Sequence, residues 1–362
     1  MNFWQKLKKD KKRPLVVLAP MADVTDFAFR EMFAKYGKPD VFWTEFVSAD
    51  GIVLAPQNNP DSKGFTGHDK IFADLKFSKK QRPIVAQIFG SNLENLEKAS
   101  EICAEIGFDG IDINMGCPDR SIEKQKSGAA MMKNSELAIS VIRAVKKGIE
   151  NAGKNIPVSV KTRLGYNKDE LEEWLPKLLL EKPALITIHA RTRKEMSLVP
   201  ARWERIKRAV EIRDEIQTNL PIEGRTLIFG NGDVLSAMDG LEKCRATGAD
   251  GAMIGRGIFG NPWFFKDLKK IDNCETVDFK NGQKFLGSQI KLNKRLTTLV
   301  EHAKFFEKYV GHKNFAVMKK HFKAYAEGFD GAKELRNNLM KAQNSKEVSK
   351  IITSWLKTKN KI

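Results

Sequence analysis

Eight short apolar runs recur between Leu15 and Gly255, and helix-like stretches separate them. The runs cover 15–19, 41–47, 84–89, 110–115, 157–162, 185–190, 226–230 and 251–255. Near-continuous apolar strands of this length suit a parallel sheet covered on its outer side. After the third run, Leu93, Leu96, Ala99, Cys103 and Ile106 fall on one helical face, and Gly107 stands where a left-handed C-cap belongs. Residues 135–147, 168–180, 201–216 and 236–247 repeat that pattern. Eight strand-then-helix units in order predict an α/β fold, a closed (β/α)8 TIM barrel rather than a doubly wound open sheet. The long polar stretch 50–82 is expected to be a loop excursion.

Past the barrel the pattern changes. Residues 266–287 are polar and turn-rich, as a linker would be. From 288 on the period is helical throughout. Leu292, Leu296, Leu299, Ala303, Phe306 and Val310 form one stripe, and Phe315, Met318, Phe322 and Tyr325 another. Leu335 and Leu339 follow, then Val348, Ile351, Ile352 and Trp355. Four helices with one apolar face each predict a small all-helical bundle, the stripes being core and the lysines between them facing water or RNA. The expected division is 1–265 barrel, 266–287 linker and 288–362 helical domain.

Charge is unevenly spread. The chain of 362 residues carries +18, and residues 266–362 hold 22 Lys+Arg against 10 Asp+Glu. Two thirds of the excess therefore lies in about a quarter of the chain, which points to a polyanionic partner. No apolar run approaches the roughly 18–20 residues of a membrane span. The basic segment 1–13 lacks the apolar core of a secretion signal, so a cytoplasmic protein is expected. Four cysteines, at 103, 117, 244 and 274, show no metal-ligand or C-x-x-C spacing, so no metal is expected. Three read as buried or incidental thiols. Cys117 differs, because Gly116 and Pro118 place it on a turn at the carboxyl end of a strand.

In a barrel, the carboxyl ends of the strands build the site. The first strand ends Ala19-Pro20-Met21-Ala22, where small residues let backbone approach a flat ligand. Thr25 or Asp26 then caps the next helix. Gln87 is an amide in an apolar run and needs partners for both ends, supplied by a heterocycle or by backbone. Lys161 and Arg163 are two apart on one strand, so both point to one side and call for an anionic ligand. His189 and Arg191 repeat the device on the next strand. The last two strands end in Gly230-Asn231-Gly232-Asp233 and Gly255-Arg256-Gly257. Glycine turns after the seventh and eighth strands suit a phosphate. Together these predict a phosphorylated planar cofactor over the barrel mouth, most simply FMN. No early G-x-G-x-x-G follows a strand, which argues against a resident Rossmann nucleotide.

These motifs resemble the tRNA-dihydrouridine synthases. The resemblance rests on 19–26, 87–90, Asn114-Met115-Gly116-Cys117-Pro118, 161–165, 188–192, 230–233 and 255–257, in order from about residue 14 to 265. The stretch from Met318 to Arg336 is similar to the family's helical RNA-binding domain, and the whole is most similar to the bacterial B-type subgroup. The resemblance implies reduction of the uridine C5–C6 double bond in tRNA through bound FMN, with NADPH or NADH as reductant. It implies that Pro20, Met21, Ala22, Gln87, Lys161, His189, Asn231, Gly232, Asp233, Gly255 and Arg256 hold FMN. Asn114, Arg163 and Arg191 would meet the substrate, and Cys117 would be the acid. No obligate protein partner is implied. A dihydroorotate-type FMN dehydrogenase would not need a basic helical tail. A non-catalytic RNA-binding protein would not need Cys117, Lys161 and two phosphate turns. Ala190 stands where the family often has Gly, and the 55–80 and 213–226 stretches look longer than usual.

Overall fold

The computed structural model describes residues 2–272 and 290–359. Its eight strands are β1 (Leu15–Leu18), β2 (Phe42–Ser48), β3 (Ile84–Phe89), β4 (Gly110–Asn114), β5 (Val158–Arg163), β6 (Leu185–His189), β7 (Leu227–Asn231) and β8 (Gly251–Ile254). All ladders are parallel, in the order 1-8-7-6-5-4-3-2. The ring closes where Asp40 N–H donates to Val16 O at 3.0 Å and Leu18 N–H to Val41 O at 3.3 Å. The fold is the expected TIM barrel followed by helices.

Alternation along each strand sorts its side chains. Ile111 and Ile113 face out and pack with the helices, as do Val160, Ile186 and Ile228. The lower barrel is filled by Leu15, Val17, Trp43, Val85, Phe229 and Met253. Trp4, fully buried on a helix over Phe3–Lys11, plugs this end, 5.4 Å from Trp43 and 5.8 Å from Phe229 between ring centroids. The sequence alone did not suggest that helix; Asn2 and Gln5 form its capping box. Higher up, the interior turns polar. Thr44, Gln87, Asp112, Ser159 and Thr187 are all buried there.

Helices fall where periodicity put them, at Leu93–Ile106, Ser135–Asn151, Leu171–Leu180, Trp203–Ile216 and Ala237–Thr247. Gly107 does adopt φ 91° at its C-cap. The excursion after β2 is more ordered than the loop expected. It holds helices Ala49–Leu54 and Gly67–Asp74 and a single turn at Lys79–Gln81. Thr66 and Asp69 form a capping box that starts the second of these. Its polar composition hid this, because short helices on a surface need caps more than a long apolar stripe.

The carboxyl-terminal helices are Leu292–Tyr309, Lys319–Tyr325, Ala332–Leu339 and Ser345–Lys359. Their stripes form one core, which also takes in Phe27 and Ala28 from the first barrel helix, Phe27–Tyr36. Ion pairs add to the contact. Lys313 reaches Glu45 at 2.8 Å and Asp74 at 3.3 Å, and His312 lies 3.0 Å from Asp74. Asp74 belongs to the excursion, so that segment brackets the helical unit against the barrel. Of the expected linker, 266–272 lies on the barrel: Leu268 is buried, and Asp272 accepts from Lys11 at 2.6 Å and Arg13 at 2.8 Å. The rest of that span, with Cys274, lies outside the described residues. No helix among the described residues is long and apolar enough to cross a membrane, and none of their His, Cys, Asp or Glu side chains cluster as a metal site.

Candidate active site at the barrel mouth

Strand register sets the site. Asn114 on β4 is level with Lys161 on β5, and Arg163 is level with His189 on β6 and Asn231 on β7. All five side chains point inward at the carboxyl ends. A cavity of about 590 Å³ opens above them. Pro20 and Met21 line it after β1, and Lys161 and Arg163 on β5. His189 and Arg191 line it after β6, then Asn231, Gly232 and Asp233 after β7, and Gly255 and Arg256 after β8. A cavity of equal size lies at the opposite end of the barrel, by Lys8 and Arg245. It takes nothing from the strand carboxyl ends.

The lining of the mouth is strongly cationic. Lys161, Arg163, Arg191 and Arg256 face a single carboxylate, Asp233. Arg191 is committed to that carboxylate: its Nη2 donates to Asp233 Oδ2 at 2.5 Å, and Asp233 also accepts from Ala201 N–H at 2.8 Å. Burial holds His189 well below its ordinary range, and Arg163, Lys161 and Arg191 reinforce this. Its Nε2 lies 3.1 Å from Arg191 Nη1. A guanidinium only donates, so Nε2 accepts and the ring proton sits on Nδ1. The Lys161 ammonium makes no hydrogen bond or ion pair among the described residues. Burial, then Arg163, pushes its ammonium down to about 8. Burial likewise lowers Arg163 to about 10. An unpaired, poorly solvated cation is stabilised by an anionic or carbonyl ligand.

The glycine turns shape the far wall. Gly232 has φ 121° and Asp233 φ 49°. A Cβ at Gly232 would come within 2.8 Å of Ala201 Cβ. At Gly255 it would meet only Met21 Sδ at 3.8 Å, so the backbone there borders open space. Asn231 Nδ2 donates to Met253 O at 2.7 Å and ties the two turns together. Arg256 is exposed and donates to Ser197 Oγ at 3.2 Å.

Cys117 sits on the turn that closes the other side. Asn114 Oδ1 accepts from Gly116 N–H at 3.1 Å and Cys117 N–H at 2.9 Å. Arg163 Nε donates to Gly116 O at 2.7 Å, and Ala129 N–H to Cys117 O at 2.9 Å. Gly116 packs closely on β5: a Cβ there would lie 3.2 Å from the Thr162 carbonyl carbon, so the neighbouring backbone would have to shift by a few tenths of an ångström. Burial raises the half-buried thiol above its ordinary value, so it stays protonated at neutral pH.

Four expected residues lie outside the cavity lining. Ala22 is exposed on the turn after Met21. Cys117 and Asn114 form the adjoining turn. Gln87 is fully buried, donates from Nε2 to Asp112 Oδ2 at 2.6 Å, and accepts at Oε1 from Asn114 Nδ2 at 3.0 Å. Side chains thus occupy both ends of this amide. Met196, Ser197, Val234 and Leu235 also line the cavity and were not foreseen. They come from loops whose length and composition carry no signal. Asp112, beneath the turn, was missed too, although a carboxylate in an apolar strand is itself a signal.

The family model described as "Dihydrouridine synthase (Dus)" matches residues 17–360, barrel and helical unit together. The chain is 38% identical over 356 residues to "Probable tRNA-dihydrouridine synthase 2" of Bacillus subtilis (strain 168), covering 98% of this chain and 96% of that protein. It is 36% identical over 357 residues to "Probable tRNA-dihydrouridine synthase" of Staphylococcus aureus (strain MRSA252), covering 98% and 95%. A protein of the same name from Staphylococcus epidermidis (strain ATCC 35984) is 37% identical over 357 residues, covering 98% and 96%. With a match of this identity along the whole barrel and its helices, the chain belongs to the dihydrouridine synthase family.

Proposed function

We infer that the protein reduces the C5–C6 double bond of uridines in cytoplasmic tRNA to 5,6-dihydrouridine, with FMN as carrier and NADPH or NADH as reductant. The observation that carries this reading is the unpaired Lys161 in a cavity lined by four cations and one carboxylate, beside a protonated thiol. FMN fits the donor set. Its phosphate suits the Gly232 turn, Arg256 and the Gly255 turn, the last of which borders open space. Lys161 suits the ring edge that becomes negative on reduction. When bound, FMN supplies the hydride to C6 of the uracil.

The chain's own residues do the rest. Charge accumulates on the uracil carbonyls as C6 is reduced, and the guanidinium of Arg163 and the ammonium of Lys161 stabilise it. The Cys117 thiol donates its proton to C5, and solvent restores the proton to the sulfur. A thiol held above its ordinary value remains a proton donor at neutral pH and needs no activating histidine. Arg163 also acts on the backbone. Its bonds to Gly116 O and to Thr192 O, at 3.1 Å, fix the thiol-bearing turn against the loop after β6. In this reading residues 1–265 are the catalytic domain and 288–362 bind tRNA. Purified protein should be yellow with bound FMN, and tRNA incubated with it and NADPH should gain two hydrogens at uridine. A colourless protein that cannot be loaded with FMN, or tRNA of unchanged mass, rejects the reading.

A further inference from the structure

Asp112 is fully buried inside the barrel, one level below Asn114 on β4. Its neighbours in register are Gln87 on β3 and Ser159 on β5. Ser159 Oγ donates to Asp112 Oδ1 at 2.5 Å, and Gln87 Nε2 donates to Oδ2 at 2.6 Å. From Gln87 the path continues upward. Asn114 Nδ2 donates to Gln87 Oε1 at 3.0 Å, and Asn114 Oδ1 accepts the backbone N–H groups of Gly116 and Cys117. Four side chains thus link the barrel interior to the thiol-bearing turn.

The direction of every bond in this path follows from its lowest member. A carboxylate only accepts, so Gln87 must turn its NH2 group toward Asp112. That leaves the Gln87 carbonyl facing Asn114, which must answer with its own NH2. The Asn114 carbonyl is then aimed at the turn, where two N–H groups need an acceptor. Were Gln87 free to flip, Asn114 could flip with it and set an NH2 against two N–H donors. Burial raises the Asp112 carboxyl to about 6 while its hydrogen bonds oppose this, so it remains an acceptor at neutral pH.

We propose that Asp112 is a positioning residue for the reduction: acting through Gln87 and Asn114, it fixes the orientation of the turn that presents Cys117. It is fully buried and does not line the cavity at the barrel mouth. This inference rests on the function proposed above, but its structural half can be tested separately.

The experiment compares wild type, Asp112→Ala and Asp112→Asn in the full-length, flavin-loaded protein. Hydrogen exchange is followed in the peptide spanning 114–118, with 227–231 as internal reference. Asp112→Ala removes the acceptor. Exchange at Gly116 and Cys117 should rise by about tenfold or more, the equivalent of one lost buried hydrogen bond, while the reference stays unchanged. The kcat for tRNA should fall by a similar factor, with flavin reduction by NADPH unaltered. Asp112→Asn can rotate so that its carbonyl faces Gln87 and its NH2 faces Ser159 Oγ, so it should restore both readouts to within about threefold of wild type. A residue that only fills the core would disturb both peptides alike and would not be rescued in this selective way. Unchanged exchange at Gly116 and Cys117 in a folded Asp112→Ala overturns the proposal, as does an Asp112→Asn variant as defective as alanine. If Asp112→Ala does not fold, Gln87→Leu breaks the same path one link later and must loosen the same two amides; normal protection there is equally fatal. If wild type reduces no uridine, the functional reading fails while the exchange data still decide the role of Asp112 in the turn.

Discussion

The Cys117 backbone N–H donates to Asn114 Oδ1 at 2.9 Å, so the residue that ends β4 also shapes the turn carrying the thiol. The family resemblance assigned Asn114 to the substrate. Its carbonyl accepts two backbone donors and its NH2 group reaches Gln87, which leaves one N–H for any ligand.

Asn114→Ala should therefore damage the turn first. It leaves the Gly116 and Cys117 amides without a side-chain acceptor, at a cost of about 1–3 kcal/mol. Thermal stability and the rate of tRNA reduction should fall together. Asn114→Asp keeps the acceptor for the turn but loses the donor that Gln87 Oε1 takes, so it should retain the turn only in part. Denaturation curves and single-turnover reduction of tRNA measure the two effects.

Lys161 should tie cofactor binding to pH. Its ammonium, lowered to about 8 by burial and Arg163, loses its proton as pH rises through that value. Affinity for FMN should then drop between pH 7 and 9. Lys161→Met should bind FMN more weakly at pH 7 and show no such drop. Fluorescence titration of FMN into apoprotein reads both.

The helical unit should be acid-sensitive. His302 and His321 are fully buried, and none of their four ring nitrogens has a hydrogen-bond partner among the described residues. Burial holds His302 well below its ordinary range and His321 at about 3. The unfolded chain therefore binds more protons than the folded one between about pH 6.5 and 3. Stability is intact above that window and is lost as pH falls into it, by about 2 kcal/mol at pH 5 for His321, with His302 acting in the same direction. His321→Leu should lower the slope of melting temperature against pH between 6.5 and 5.

One face of the last helix should contact RNA phosphates. Lys346, Lys350 and Lys357 border a groove there with Ser349 and Thr353. Replacing the three lysines by glutamate should weaken tRNA binding and flatten its salt dependence, because fewer counterions are released. Filter binding from low to moderate salt is the check. Substitution serves better than truncation, since removing the helices would expose Phe27, which packs in their core.

The barrel was legible because its signal is repeated: eight apolar runs and five well-marked helices agree on one topology. The glycine turn after β7 was legible because Gly232, at φ 121°, answers a backbone need that sequence displays. Other parts carried no such mark. The excursion helices rely on caps within polar sequence, and Trp4 fills the barrel from a segment that reads only as basic. Ser197 reaches the cavity from a loop whose course no periodicity sets. Asp112 left a trace, a charge amid Ile111 and Ile113, but its partners Gln87 and Ser159 become neighbours only through strand register.

The assignment of Cys117 as the proton donor to C5 is most directly tested by Cys117→Ala, assayed for flavin content, NADPH oxidation and dihydrouridine in tRNA. The variant should be a yellow protein whose flavin is still reduced by NADPH, with dihydrouridine formation down by about 10²–10⁴-fold, the usual worth of a general acid. Undiminished dihydrouridine formation would contradict the assignment.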